Sequence, residues 1–368
     1  MKVPFVNLGA QYKSISADIL GVVDQLSSQG QYIGGPPVAE FESSFAEYCD
    51  SAYCIGVANG TDALFLILKG LGIGPGDEVI TASNSFIATA GAIVACGATP
   101  VFADVDDDYN ISIKSTISLI TSKTRAIIPI HLTGNPADMD PLNELATRHN
   151  IAIVEDAAQA IGATYKGRKV GSLGRAAAFS LHPLKNLHLQ GDAGAITTDD
   201  PELNKKIRML QNHGLANRDE CDFFGYNSRL DSLQAGIGNI KLKLIDDWNE
   251  RFRMIASQYQ RGLSQYVKTP TFRPQDRPVF HNFVIRLKER DALVKYLADH
   301  EIDTKVHYPI PIHLQRASKV YGYKEGDLPQ CEAQAKEILS LPIYPELTEE
   351  QVAHIIKTIQ EFVTSKES

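Results

Sequence analysis

Apolar side chains at Ile15, Ile19, Val22, Val23 and Leu26 keep helical spacing and predict a helix within residues 12–29. The stretch Gly30-Gln31-Tyr32-Ile33-Gly34-Gly35-Pro36-Pro37 cannot continue it and reads as a loop, after which Phe41 and Phe45 restore helical spacing over Val38–Tyr48. An alternation then begins. Apolar runs at Tyr53–Ala58, Glu78–Ala82, Pro100–Val105, Ala126–His131 and Ile151–Val154 read as strands, and Ala63–Leu71, Ile87–Cys96 and Leu142–His149 read as helices. Strands alternating with helices imply βαβ crossovers and a mainly parallel, buried sheet, which the apolar runs 176–181 and 193–198 extend.

Beyond the sheet, Pro201–Gln211 is a helix capped at Asp199 or Asp200, and residues 213–231, rich in Gly, Asn, Asp and Phe, form a long loop. Leu233, Ile237, Ile240, Leu244, Trp248, Phe252 and Ile255 mark one long helix that leaves the large domain for a smaller one. The remainder reads as an α/β sandwich: strand His281–Leu287, helix Asp291–His300, a strand ending at His307, the rigid loop Tyr308–Pro311, and helices Glu332–Leu339 and Glu349–Thr364. The class is therefore α/β. Residues 1–245 are expected to form a large domain with an N-terminal arm, and 246–368 a smaller C-terminal α/β domain.

Charge and cysteine content narrow the function. A net charge of −8 without a basic run argues against nucleic acid as the main partner, because phosphate-backbone binding needs clustered Lys and Arg. The five cysteines are scattered and form no C-x-x-C pair, so neither a disulfide framework nor a zinc site is expected and no metal is predicted. No apolar run reaches membrane-spanning length, and Met1-Lys2-Val3-Pro4-Phe5 carries no signal-peptide core. These features predict a soluble, cytoplasmic protein.

Candidate chemistry gathers at strand ends. Lys185 lies in Phe179-Ser180-Leu181-His182-Pro183-Leu184-Lys185-Asn186, a turn between two buried strands closed by Gly191-Asp192-Ala193-Gly194. Such a lysine is a candidate covalent nucleophile, although a lone loop lysine is more often only a surface charge. Asn59-Gly60-Thr61, between a strand and a helix, is either a phosphate seat or a turn with an N-cap. The glycines of 70–76 precede a strand and have the wrong spacing for a dinucleotide fingerprint, and no P-loop motif is present. Phe86, following the strand at 78–82, covers a flat ligand ring or packs under the next helix. Asp156, at the carboxyl end of a buried strand, needs a cationic or hydrogen-bonded partner unless it caps a helix. Taken together with Ser180, these residues match the needs of pyridoxal 5′-phosphate: an anion seat, a ring cover, a partner for the pyridinium nitrogen and an amine for covalent attachment.

The segments Asn59-Gly60-Thr61-Asp62-Ala63-Leu64, Val154-Glu155-Asp156-Ala157-Ala158-Gln159, Ser180-x-His182-Pro183-x-Lys185-Asn186 and Gly225-Tyr226-Asn227-Ser228-Arg229 resemble the DegT/DnrJ/EryC1/StrS family of PLP-dependent sugar aminotransferases. The resemblance extends from Pro4-Phe5-Val6-Asn7-Leu8 to Leu341-Pro342 and implies the aspartate-aminotransferase-like fold, fold type I. It implies that Lys185 is the Schiff-base lysine and that Asp156 pairs with the pyridinium nitrogen. Gly60, Thr61 and Ser180 would hold the phosphate, Phe86 would stack on the ring and Gln159 would lie beside it. Asn227 would reach the phosphate in a neighbouring subunit, so the site is shared across a homodimer. Tyr308, His313 and Tyr32 would lie near the sugar, while His188 is either a substrate contact or a loop histidine. The implied substrates are a keto sugar carried on a nucleotide and an L-amino acid donor, glutamate. Asp192-Ala193-Gly194 resembles the 3-keto-sugar enzymes more than the 4-keto ones. The alternatives are a 4-keto-sugar aminotransferase, a PLP-dependent sugar dehydratase (whose relatives carry histidine in place of the lysine), a regulatory protein of the same fold and a nucleotide-sugar oxidoreductase.

Overall fold

The computed structural model describes Met1–Glu367. In chain order the elements are α1 (Leu8–Ser28), α2 (Pro36–Tyr48), β1 (Tyr53–Val57), α3 (Gly60–Gly70), β2 (Glu78–Ala82), α4 (Ile87–Ala95), β3 (Thr99–Ala103), α5 (Ile113–Leu119), β4 (Thr124–Ile128), α6 (Met139–His149), β5 (Ala152–Asp156), a small hairpin β6 (Thr164–Tyr165) and β7 (Arg168–Lys169), β8 (Ala176–Ser180), β9 (Gly194–Thr198), α7 (Pro201–Leu210), α8 (Ser232–Leu242), α9 (Ile245–Leu263), β10 (Phe283–Arg286), α10 (Arg290–Asp299), α11 (Pro329–Glu337), β11 (Ile338–Leu341) and α12 (Glu349–Glu367). Seven strands form one sheet in the order β1-β9-β8-β5-β4-β2-β3. Only β9 runs against its neighbours, so the sheet is mainly parallel and the carboxyl ends of β1, β2, β5 and β8 open at one edge. In open α/β sheets that edge is where ligands bind.

Strand periodicity divides the core. Ile80, Ile127, Ile153 and Ala177 face one apolar cluster, while Val79, Ala126, Val154 and Ala176 face another across the sheet. Successive side chains on a strand point to opposite faces, so a sheet covered on both sides needs apolar residues at both positions. A third cluster, with Phe252, Ile255, Tyr259, Leu297, Leu341 and Ile355, lies between α9, α10, α12 and the antiparallel pair β10-β11.

Several boundaries differ from the sequence reading. The helix expected to run unbroken from Ser232 is two helices, interrupted at Lys243 and Leu244. No Gly or Pro marks the break; it separates a helix that buries Ala235, Ile237 and Leu242 in the large core from one that buries Phe252, Ile255 and Tyr259 in the small one. Pro36 and Pro37 open α2 instead of ending a loop, because a helix's first turn tolerates a missing N–H. The helix expected over Glu332–Leu339 stops at Glu337, and Ile338–Leu341 pairs with β10. The strand expected up to His307 is a single bridge, Lys305 with Ser340. Among the described residues no helix is long and apolar enough to cross a membrane.

Candidate active site

A cavity of about 690 Å³ opens at the carboxyl edge of the sheet, within the size range of small-molecule sites. Gly60, Thr61, Phe86, Asp156, Gln159, Ser180, Lys185, His188 and Tyr308 all line it. Four strand ends thus bring eight of the twelve sequence-predicted residues to one wall, and Tyr308 reaches it from the segment between α10 and α11.

Helix α3 starts where β1 ends. Its N-cap, Asn59, accepts from Asp62 N through Oδ1 at 2.8 Å, which aims the first turn at the cavity. The first N–H groups of a helix have no acceptor within it, and the helix dipole adds partial positive charge there. Gly60 is set by contact: a Cβ on it would lie 2.7 Å from Ser180 Cβ and 3.1 Å from Ser180 Cα. Gly194 makes room on the other side, since a Cβ there would meet Asn59 C and O at 2.5 Å. The result is a cradle of helix N–H groups, the Thr61 side chain and the Ser180 hydroxyl, fitted to a phosphate.

Asp156 ends β5, almost fully buried. Its Oδ2 accepts from Thr89 Oγ1 at 2.7 Å and its Oδ1 from Ala158 N at 3.3 Å. Burial pushes its pKa up, while the bonds from Thr89 and Ala158 and the charge of Lys185 act the other way. A cationic ring nitrogen is the partner such a carboxylate needs. Lys185 is fixed by its own backbone, whose N–H donates to His182 O at 2.8 Å. Its amine is enclosed by protein, which pulls its pKa down to about 8 against the attraction of Asp156. Burial also lowers His281 well below the usual range and His307 to about 4, so two imidazoles beside Lys185 add no positive charge.

The cover and flank are in place. Phe86, more than half exposed, pairs with Tyr308 at a ring-centroid distance of 5.9 Å. Gln159 Oε1 accepts from Thr133 N at 2.7 Å, and Tyr308 lies against the Gln159 side chain. His188 Nδ1 lies 3.0 Å from Lys185 O.

Three predicted residues are not brought to this cavity by their own chain. His313 is a correction: it is only 1% exposed and absent from the cavity wall. Its Nδ1 lies 2.7 Å from Ser83 Oγ and its Nε2 3.1 Å from Glu332 Oε1, so it ties the segment after Tyr308 to the end of β2 and to α11. Tyr32 stands half exposed beyond α1, its hydroxyl donating to Ser27 O at 3.4 Å. Asn227 lies in the exposed loop before α8, bridged to Asn212.

Sequence reasoning also missed residues. Thr89 is the polar side chain in the otherwise apolar helix IATAGAIVA, which was its signal. Glu155, read with Asp156 as one acidic strand end, is fully buried and accepts from His131 Nε2, Gly171 N, Leu173 N and Gly174 N at 2.8–3.0 Å. Gln11 and Glu346 reach the cavity from opposite ends of the chain, which no local pattern announces. Among the described residues no group of His, Cys, Asp and Glu could hold a metal ion.

A phosphate cradle at a helix start, a buried acid for a ring nitrogen, an aromatic cover and an enclosed lysine define a fold type I PLP-dependent enzyme. Comparison with known proteins agrees. Residues 13–360 match the model of the DegT/DnrJ/EryC1/StrS aminotransferase family, and the chain belongs to that family. It is 43% identical over 98% of its length to the pleiotropic regulatory protein of Geobacillus stearothermophilus, covering 99% of that protein. It is also 43% identical, again over 98% of its length, to a dTDP-3-amino-3,4,6-trideoxy-alpha-D-glucose transaminase of Streptomyces venezuelae, 96% of which is covered. The crystal structure of S. venezuelae DesV in complex with a ketimine intermediate superimposes with a TM-score of 0.96 at 43% identity, covering 98% of each chain. The protein is a PLP-dependent nucleotide-sugar aminotransferase. When bound, the cofactor supplies an electron sink for the carbanion formed during amino transfer.

Proposed function

We propose that this enzyme moves the amino group of L-glutamate to the 3-keto carbon of a dTDP- or UDP-linked hexose. The observation that carries the reading is the convergence of Lys185, Asp156 and the N-terminus of α3 on one cavity of about 690 Å³. The 3-keto choice rests on Asp192-Ala193-Gly194 and on the S. venezuelae relative, named for a dTDP-linked 3-amino sugar.

In this reading the α3 N–H groups at Gly60 and Thr61, with the Ser180 hydroxyl, bind the cofactor phosphate. Asp156 holds a proton on the ring nitrogen, Phe86 covers the ring and Gln159 flanks it. Lys185 would hold the cofactor covalently between turnovers, and its amine, freed by substrate, would carry the proton between substrate and cofactor carbons in each half-reaction, a task suited to a group whose pKa is about 8. Tyr308 faces the sugar. Asn227 belongs to the site of a second subunit, so the working unit is a homodimer with shared sites. The lysine disfavours the dehydratase reading, whose relatives carry histidine there.

The test is to offer glutamate with a panel of dTDP- and UDP-linked 3-keto and 4-keto hexoses and to weigh the products by mass spectrometry. Amino sugar from the 3-keto members is the expected result. Product from 4-keto members alone refutes the regiochemistry, and loss of water without gain of nitrogen refutes the transaminase reading.

A further inference from the structure

Of the cavity wall, one part is left without a task by cofactor binding. His188 follows Lys185 by three residues, Gln11 comes from α1, and Glu346 from the connection between β11 and α12; all three line the cavity. Lys241 of α8, nearly buried and off the cavity wall, joins them: its charge acts on both His188 and Glu346. The four side chains form one cluster assembled from four separate segments.

Each member that reaches the cavity offers an acceptor. A carbonyl only accepts, so the 3.0 Å contact between His188 Nδ1 and Lys185 O puts the ring proton on Nδ1. Burial and the Lys241 charge lower the pKa of His188 to about 4, so the ring stays neutral and Nε2 keeps its lone pair. No donor among the described residues pairs with that nitrogen. The Gln11 side chain lies close enough to the Glu346 carboxylate to favour its charged form, and Gln11 Oε1 has no donor. Burial raises the pKa of Glu346, and Gln11 and the charge of Lys241 act against that rise. Among the described residues Lys185 is the one Lys or Arg on the whole cavity wall, and this lobe, unlike the start of α3, presents acceptors and a carboxylate, which disfavour a phosphate or a carboxylate there. An imidazole lone pair and a carboxylate whose cationic neighbour, Lys241, lies off the cavity wall recognise hydrogen-bond donors. In a nucleotide-linked sugar the hydroxyl-rich part is the hexose.

We propose that His188 Nε2 and the Glu346 carboxylate, braced by Gln11 and Lys241, accept hydrogen bonds from hydroxyl groups of the hexose and so select the sugar. The inference rests on the nucleotide-sugar reading above. Hydroxyl recognition by buried acceptors discriminates strongly, because an analogue lacking the hydroxyl leaves the acceptors unpaired.

The holoenzyme variants His188→Phe and Glu346→Gln test it, with whichever dTDP- or UDP-linked keto hexose of the panel the wild type aminates as the probe. Both should keep the visible absorbance of bound cofactor and the rate of its loss on adding glutamate alone. The kcat/KM for the keto hexose should fall about ten- to hundredfold, the range for a hydrogen bond involving a charged or buried group. Affinity for dTDP or UDP alone should stay within about twofold, and His188→Gln, which restores an acceptor, should recover part of the loss. Equal loss of nucleotide affinity would place the base or diphosphate in this lobe, and a slowed glutamate step would place the donor there; either overturns the proposal, as does an unchanged kcat/KM. Glu346→Gln is isosteric and keeps the test open should His188→Phe misfold. Failure of the wild type to aminate any member of the panel refutes the nucleotide-sugar reading and this inference with it, whereas an active wild type with equally active variants refutes the inference alone.

Discussion

Substituting Gly60 by Ala examines the phosphate cradle through one added methyl. The new Cβ would stand 2.7 Å from Ser180 Cβ and 3.1 Å from Ser180 Cα, neither of them the free end of a side chain. Ordinary contact begins at 3.4 Å, so the difference of about 0.7 Å must come from the start of α3 moving away from β8. An N–H···O bond of about 2.9 Å lengthened by that amount reaches about 3.6 Å and ceases to be a hydrogen bond. Losing one charge-assisted bond to phosphate costs about 1.5–3 kcal/mol, which corresponds to about 10- to 150-fold weaker binding. The helix itself gains from Ala, so global unfolding is not the expected route to the loss. Cofactor-free protein titrated with PLP and followed by absorbance gives the affinity, and pyridoxal without the phosphate serves as the control. Gly60→Ala should weaken PLP by at least tenfold and pyridoxal far less. Equal weakening of both ligands, or PLP affinity within about threefold of wild type, would refute the placement of the phosphate at α3.

Three further outcomes follow from the same geometry. The neutral amine of Lys185 is the nucleophile, and its pKa is about 8, so the rate of PLP capture by cofactor-free protein should rise with pH, reach half its maximum near 8 and then level off. A rate still climbing tenfold per pH unit to about 10, the range of an ordinary lysine, would contradict an enclosed amine. Glu155→Gln turns one of two accepting oxygens into a donor facing two donors, leaving two groups unsatisfied at about 1–3 kcal/mol each. Urea denaturation should therefore register a loss of about 2–6 kcal/mol, and a loss below about 1 kcal/mol would mean that the site relaxes around the amide. Lys185→Ala and Asn227→Ala should each be inactive alone, yet random remixing of their subunits should restore about a quarter of wild-type activity, since half the dimers are mixed and each then holds one intact site. No recovery after confirmed subunit exchange would remove Asn227 from the partner's site.

The seven-stranded sheet was legible because its strands, covered on both faces, are mostly apolar and lead at their carboxyl ends into Asn59-Gly60 or end on Asp156. The site residues carried by those ends were legible for the same reason. What failed was information that lies between distant segments. Ile338–Leu341 is as apolar as a helix face, and only pairing with β10 makes it a strand. The break between α8 and α9 follows from two cores at different places, which helical spacing alone does not register. His313 sits close in sequence to Tyr308, which does line the cavity, but a 3-10 turn at Ile312–Leu314 carries it inward to Ser83 and Glu332.

The adjacent acids Glu155 and Asp156 show how backbone geometry divides labour that composition leaves undivided. Both end β5, and both are nearly or fully buried. Successive strand residues point to opposite faces, so the two carboxylates meet different surroundings. Glu155 turns to the side where the 171–174 turn and His131 supply four donors, and Ala137 N donates to His131 Nδ1 at 3.0 Å, leaving the Nε2 proton for the carboxylate. Its accepting capacity is used up inside the protein. Asp156 turns to the cavity with one side-chain and one backbone donor, and a buried carboxylate with so few donors retains capacity for a cation. The loop from Pro129 to Ala137 serves both, since its His131 meets Glu155, its backbone brackets Asp156 through Pro129 O and His131 N, and its Thr133 N–H holds Gln159. One acid therefore fixes the loop that positions the other, whose remaining accepting capacity faces the cavity.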